Sequence, residues 1–174
     1  MPQESQQTIN NFQTPSICKH LLFWPIFFGG LALDLWSKYA VFDWLIKRGQ
    51  DGFQLIGQWL TFQLALNKGA AFGMAQGQRW LLVSVSITAL IVVIAIFLFG
   101  GQKSRVINIA FALLAAGISG NLYDRLKDGQ VRDFIDVMYW PGKHWPAFNA
   151  ADSMLCIAVA LLILSNLFAP KQKN

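Results

Sequence analysis

Apolar positions along the chain gather into four long runs, separated by shorter stretches in which polar and turn-forming residues return. A helix that crosses the hydrocarbon core of a bilayer needs about 20 mostly apolar residues at 1.5 Å rise each. Trp80 to Phe99 meets that length with 20 residues and no charge. Ala150 to Ala169 carries one charge, Asp152 at its third position, and Pro170 ends it because proline cannot continue a helix. Val106 to Tyr123 is uncharged and closes on Asp124 and Arg125. Leu21 to about Trp44 is also long enough, with Asp34 and Lys38 in its second half. This run follows a polar stretch and has no clear small-residue cleavage site, so it reads as a retained span and not as a cleaved leader. Residues 1 to about 18, rich in Gln, Ser, Thr and Asn, are expected to form a flexible extension.

The pattern predicts an all-α membrane protein with four transmembrane helices at about 21–44, 80–99, 106–123 and 150–169. They belong to a single domain from 19 to 170, followed by a basic tail at 171–174. Within the 45–79 connection, Gln58 to Leu66 partly alternates, with Phe62, Leu64 and Leu66 set against Thr61, Gln63 and Ala65. That is the period of a short strand, and it runs into the turn-forming sequence Asn67 to Gly73. A small strand-containing extramembrane cradle is therefore expected between the first and second spans.

Composition agrees with a membrane location: 55% of the 174 residues are hydrophobic and 13% are charged, about half the charged share of an average soluble domain. The net charge of +5 suits contact with anionic membrane lipids, and no interleaving of aromatic and basic residues suggests nucleic acid. Lys103 and Arg105, and in the tail Lys171 and Lys173, stand without acids, which favours both termini on the cytoplasmic side. Two Cys and two His stand far apart and no H-E-x-x-H occurs, so neither a disulfide scaffold nor a zinc site is expected. His144 is the only base candidate beyond His20, which leaves a serine-type mechanism weakly supported. Cys18 reads as an inert thiol and Cys156 as a small core residue.

Carboxylates remain, and five of the eight Asp fall between 124 and 152. Asp152 lies three residues after Asn149 at the start of the last run, where it would cap the helix and meet the positive end of its dipole. Asp133, in Val131-Arg132-Asp133-Phe134, reads by itself as a solvated loop acid. Brought within hydrogen-bond reach of one another, the two could not both ionise easily, and such a pair can serve as general base and general acid on a water molecule. Asp34 and Lys38 are four residues apart and share one helix face, as a structural ion pair or as support for a site. Asn121 and Arg125 repeat that spacing, and Ala116, Gly117 and Gly120 suit close helix packing. Asp43, Asp51, Asp128 and Asp136 read as ordinary solvated acids.

Five motifs occur in order: Asp34-Leu35-Trp36-Ser37-Lys38, Asn67 to Gly73, Gly120 to Arg125, Val131 to Phe134, and Phe148 to Asp152. In sequence and approximate spacing they resemble the bacterial lipoprotein signal peptidases, also called signal peptidase II. The resemblance implies an aspartic endopeptidase of the bacterial inner membrane, needing no cofactor or metal and acting near the outer face. It would remove the signal peptide from lipidated prolipoprotein substrates by cutting before a diacylglyceryl-modified cysteine. Carried over by motif, the catalytic pair is Asp133 and Asp152, supported by Asp34, Lys38, Asn67, Asn121, Asp124, Arg125 and Asn149. The family's strand cradle and short interfacial helix map to the 45–79 connection, while the N-terminal extension falls outside the family pattern. Four spans can enclose such a site alone, so a monomer is expected. A small ion or proton transporter using Asp34, Lys38 and Asp152 is the rival reading, but the acids cluster instead of running across the spans and no repeat is present. Tyr123-Asp124 resembles the first motif of presenilin-type proteases, yet the partner Gly-x-Gly-Asp is absent.

Overall fold

The computed structural model describes residues 17–70, 73–100 and 104–168, so residues 1–16 of the expected extension and the basic tail lie outside the described residues. In chain order the elements are α1 (Ile17–Lys47), β1 (Gly52–Ile56), β2 (Leu60–Asn67), α2 (Arg79–Phe99), α3 (Arg105–Asp128), β3 (Val131–Trp140), β4 (Lys143–His144) and α4 (Ala150–Leu167). Each of the four helices is long and apolar enough to cross a membrane.

Helix α3 packs against all three other helices and is the most buried of them. Its sequence explains why. Ala110, Ala112, Ala115 and Ala116 are fully buried and give neighbouring backbones room to approach. A methyl group at Gly117 would stand 2.7 Å from the Ala151 carbonyl oxygen of α4, and one at Gly120 would strike the Asp34 carboxylate of α1. Gly120 thus does more than permit helix packing: its missing side chain is the space that the acid occupies. Toward the other end of the bundle, Phe23 of α1 stacks on Phe97 of α2 at 3.8 Å, next to the Ala112 and Ala115 face of α3. Ser104 caps α3 by accepting from the Ile107 amide, and Gly129 ends the helix in the left-handed conformation at φ 74°.

The four strands form one antiparallel sheet in the order β1-β2-β3-β4. Only half of it comes from the 45–79 connection, where the strand-containing cradle is expected. The other half, β3 and β4, lies between α3 and α4. Val131–Trp140 is rich in β-branched and aromatic residues. Its hydrophobic alternation is broken because Arg132, Asp133 and Asp136 are themselves buried, so neither face reads as a solvent face. Strand β2 pairs with β3 so that Ala65 faces Asp133 and Asn67 faces Val131, with a register shift between Phe62 and Ala65. After β4 the chain returns alongside β3: Phe148 exchanges backbone hydrogen bonds with Ile135 at 2.9 and 3.0 Å. That pairing delivers Asn149, the cap of α4, to the side of Asp133.

Candidate active site

Asp133 and Asp152 come from different elements, and a pair of asparagines links them. Asn149 Nδ2 donates to Asp133 Oδ1 at 2.6 Å and to Asn121 Oδ1 at 3.2 Å. Asn121 Nδ2 in turn donates to Asp152 Oδ1 at 2.8 Å. The second oxygen of each acid is also held. Asn67 Nδ2 reaches Asp133 Oδ2 at 3.1 Å from the neighbouring strand, as a diagonal cross-strand pair. The Asn149 backbone amide donates to Asp152 Oδ2 at 3.1 Å, while Asn149 Oδ1 accepts from the Asp152 amide at 3.0 Å, which closes a capping box at the start of α4. The capping expected for Asp152 is therefore present together with its place beside the other acid.

Behind the asparagines lies a buried charge network. Asp34, Lys38 and Asp124 are fully buried. Lys38 Nζ reaches Asp34 Oδ2 at 2.7 Å, Asn121 Oδ1 at 3.0 Å and Asp124 Oδ2 at 3.3 Å. The ammonium compensates both carboxylates and turns the Asn121 carbonyl toward itself, so the Asn121 amide faces Asp152. Asp34 also accepts from the Ala151 backbone amide at 2.8 Å, which ties α1 to the first turn of α4. Asp124 receives the Arg132 amide at 3.1 Å and an ion pair from the Arg132 guanidinium. Sequence reasoning assigned Arg132 no role. Its partner lies eight residues upstream across the Gly129 turn, and helical spacing could not show that contact. Asp136 corrects a further expectation: it is buried and pairs with His144 Nδ1 at 2.8 Å across the β3–β4 hairpin, and so is not a solvated acid. Asp43 by contrast is exposed and pairs with Lys47 at 2.7 Å.

The two acids open onto a cavity of about 1020 Å³. Asn67, Asn121, Arg125, Asp133 and Asp152 make its polar end, and Leu66, Trp145, Phe148, Leu155 and Ile157 are among its apolar walls. Arg125 Nη2 is anchored on the Gly69 carbonyl at 2.9 Å, and the Gly69 amide is anchored on Asn67 Oδ1 at 2.9 Å, so the turn after β2 is fixed to α3. Asp34, Lys38, Asp124 and Asn149 support the site from behind and do not line the cavity. Cys156 lines it one turn after Asp152 and is exposed, in place of the core position expected for it. Burial is the main force that raises the Asp133 carboxyl from 3.8 to about 7, and the negative charge of Asp152 adds to it. Hydrogen bonds from Asn67 and Asn149 pull the other way. A carboxyl poised near neutrality beside a second acid can hold a proton and give it up. Among the described residues, no group of three or more His, Cys, Asp or Glu is arranged to hold a metal ion.

Span-length helices around an acid-lined cavity place the chain in the class of membrane-embedded peptidases. More narrowly, the family model described as signal peptidase (SPase) II matches residues 26–168, and the chain belongs to that family. It is 36% identical over 161 residues to a lipoprotein signal peptidase of Rhodopirellula baltica, covering 85% of this chain and 72% of the relative. It is likewise 36% identical over 136 residues to the lipoprotein signal peptidase of Alteromonas mediterranea, covering 76% of this chain and 72% of that one. Among solved structures, a bacterial membrane enzyme determined by the in meso method at 2.3 Å superposes with a TM-score of 0.76 at 31% identity, covering 94% of this chain and 98% of the other. A second, at 1.9 Å, gives 0.72 at 30% identity, with 91% and 99% covered.

Proposed function

We propose that this chain is an aspartic endopeptidase of the bacterial inner membrane that removes the signal peptide from prolipoproteins, cutting before the diacylglyceryl-modified cysteine. The observation that carries the reading is the joint presence of Asp133 and Asp152 at the polar end of a cavity whose other walls are apolar. The acids suit hydrolysis, and the apolar walls suit a lipid chain attached next to the cut. Both termini face the cytoplasm, the sheet lies outside the hydrocarbon at the outer face, and one copy in contact with membrane lipids is sufficient. Residues 19–170 act as one domain.

In the mechanism, protonated Asp133 donates to the scissile carbonyl and takes that proton back from the tetrahedral diol as the C–N bond breaks. Asp152 takes a proton from the attacking water and passes it to the leaving amine, and no covalent intermediate forms. Asn67 and Asn149 hold Asp133 in place, and Arg125 at the cavity wall favours negative charge developing in the transition state.

The substrate class is tested with purified protein in detergent, given a lipidated prolipoprotein and the same precursor without lipid. Cleavage before the modified cysteine in the first only is the expected outcome, and equal cleavage of both would remove the lipid requirement.

A pH dependence follows from Asp133. The proton it donates is held below about 7 and lost above, so kcat/KM falls as pH rises through that value. Asn67 stabilises the ionised form, and Asn67→Ala moves the alkaline limb to higher pH. A limb that stays in place or moves lower in this variant would take the acid role away from Asp133.

A further inference from the structure

Outside the cavity, α1 and α3 present a second cluster. Lys127 Nζ donates to the Tyr39 hydroxyl and lies 4.8 Å from the centre of that ring and 6.0 Å from the centre of Tyr123. The two phenol oxygens are 3.3 Å apart. The Arg132 guanidinium stacks over Tyr39 at 4.0 Å, is 7% exposed, and keeps its Nε without a hydrogen-bond partner. Asp124 matches the Arg132 charge. Lys127 makes no ion pair among the described residues. Asp128, the next residue, is within electrostatic reach but is not bonded to it. An ammonium has three donors, and only one is used here. None of the four residues lines the cavity, and of them only Arg132 touches the charge network behind the acids.

We propose that Lys127, Tyr39 and Tyr123, backed by Arg132, bind the phosphate of an anionic membrane lipid. Position favours a lipid over free phosphate. Lys127 stands one residue before the end of α3, where an apolar span gives way to polar chain and where Tyr and Lys commonly meet headgroups. Leu33 and Trp36, at three-residue steps before Tyr39 on α1, are 53% and 68% exposed. Leu126 is exposed beside Lys127. Acyl chains can lie on that apolar strip while the phosphate takes the free Lys127 donors and the Tyr123 hydroxyl. A soluble phosphate would gain nothing from the strip.

The test uses the delipidated full-length protein in neutral detergent, titrated with phosphatidylglycerol, phosphatidylcholine or glycerol 3-phosphate, with bound lipid counted by native mass spectrometry. Phosphatidylglycerol is expected to bind tightest, and Lys127→Gln to weaken it about fivefold, to the level of phosphatidylcholine. Lys127→Arg should keep the preference, and Tyr123→Phe should weaken the binding of both lipids alike, because the phosphate that its hydroxyl meets is common to them. Unchanged phosphatidylglycerol binding by Lys127→Gln would overturn the site. Glycerol 3-phosphate competing as well as the lipid would overturn the assignment to a lipid.

Discussion

Asp152→Asn and Asp133→Asn are each expected to lower prolipoprotein cleavage by roughly 10²- to 10⁴-fold while leaving the protein folded, because each removes one partner of a general acid–base pair. The double variant should lose little more than either single one, since the two groups act as a unit. Asparagine is the informative replacement because it keeps a carbonyl oxygen. At 152 that oxygen can still accept from the Asn149 amide and preserve the capping box. At 133 it can still accept from Asn149 or Asn67. Alanine at 152 would also remove the bond from the Asn149 amide that completes the capping box, and would mix stability with chemistry. Comparing cleavage rates with melting temperatures separates the two effects. A variant that melts like the wild type and cleaves at the wild-type rate would end the assignment.

The second large effect is structural. Lys38→Met would leave the fully buried Asp34 and Asp124 carboxylates without the ammonium that stands 2.7 and 3.3 Å from them. Breaking a buried ion pair from one side costs about 3–5 kcal/mol, because the remaining charge keeps its desolvation penalty and loses its compensation. For a chain of this size that corresponds to a fall in melting temperature of roughly 10 °C. Activity should fall as well, since Asn121 loses the contact that aims its amide at Asp152. Adding Asp34→Asn to Lys38→Met removes one uncompensated charge and should recover part of the stability. A Lys38→Met protein with an unchanged melting temperature would show that the network does not hold the helices together.

The spans were legible because a run such as Trp80 to Phe99 has one physical use at that length. Asp34 and Lys38 stood out because charges in such runs are costly, and all the residues singled out by motif converge on one connected network or on the cavity wall. What stayed hidden depends on contacts that local periodicity does not encode. Strand β3 lacks a solvent face, so its alternation is masked. Arg132 and Asp136 look like loop charges until Asp124 and His144 are seen opposite them. Tyr39 and Tyr123 sit 84 positions apart, and only the packing of α1 on α3 brings their hydroxyls together.

The pairing of β2 with β3 also has a meaning for biogenesis. Asp34, Lys38 and Asn67 come from the first half of the chain, whereas Asn121, Asp133, Asn149 and Asp152 come from the second. Contacts between such distant segments form late and only after their loops close. During synthesis, α1 and α2 can enter the bilayer long before Asp152 exists, and until α4 is made Asp133 has no second acid beside it. On the proposed mechanism, a chain that still lacks α4 is proteolytically silent, so a nascent peptidase cannot cut neighbouring precursors before its own insertion is complete.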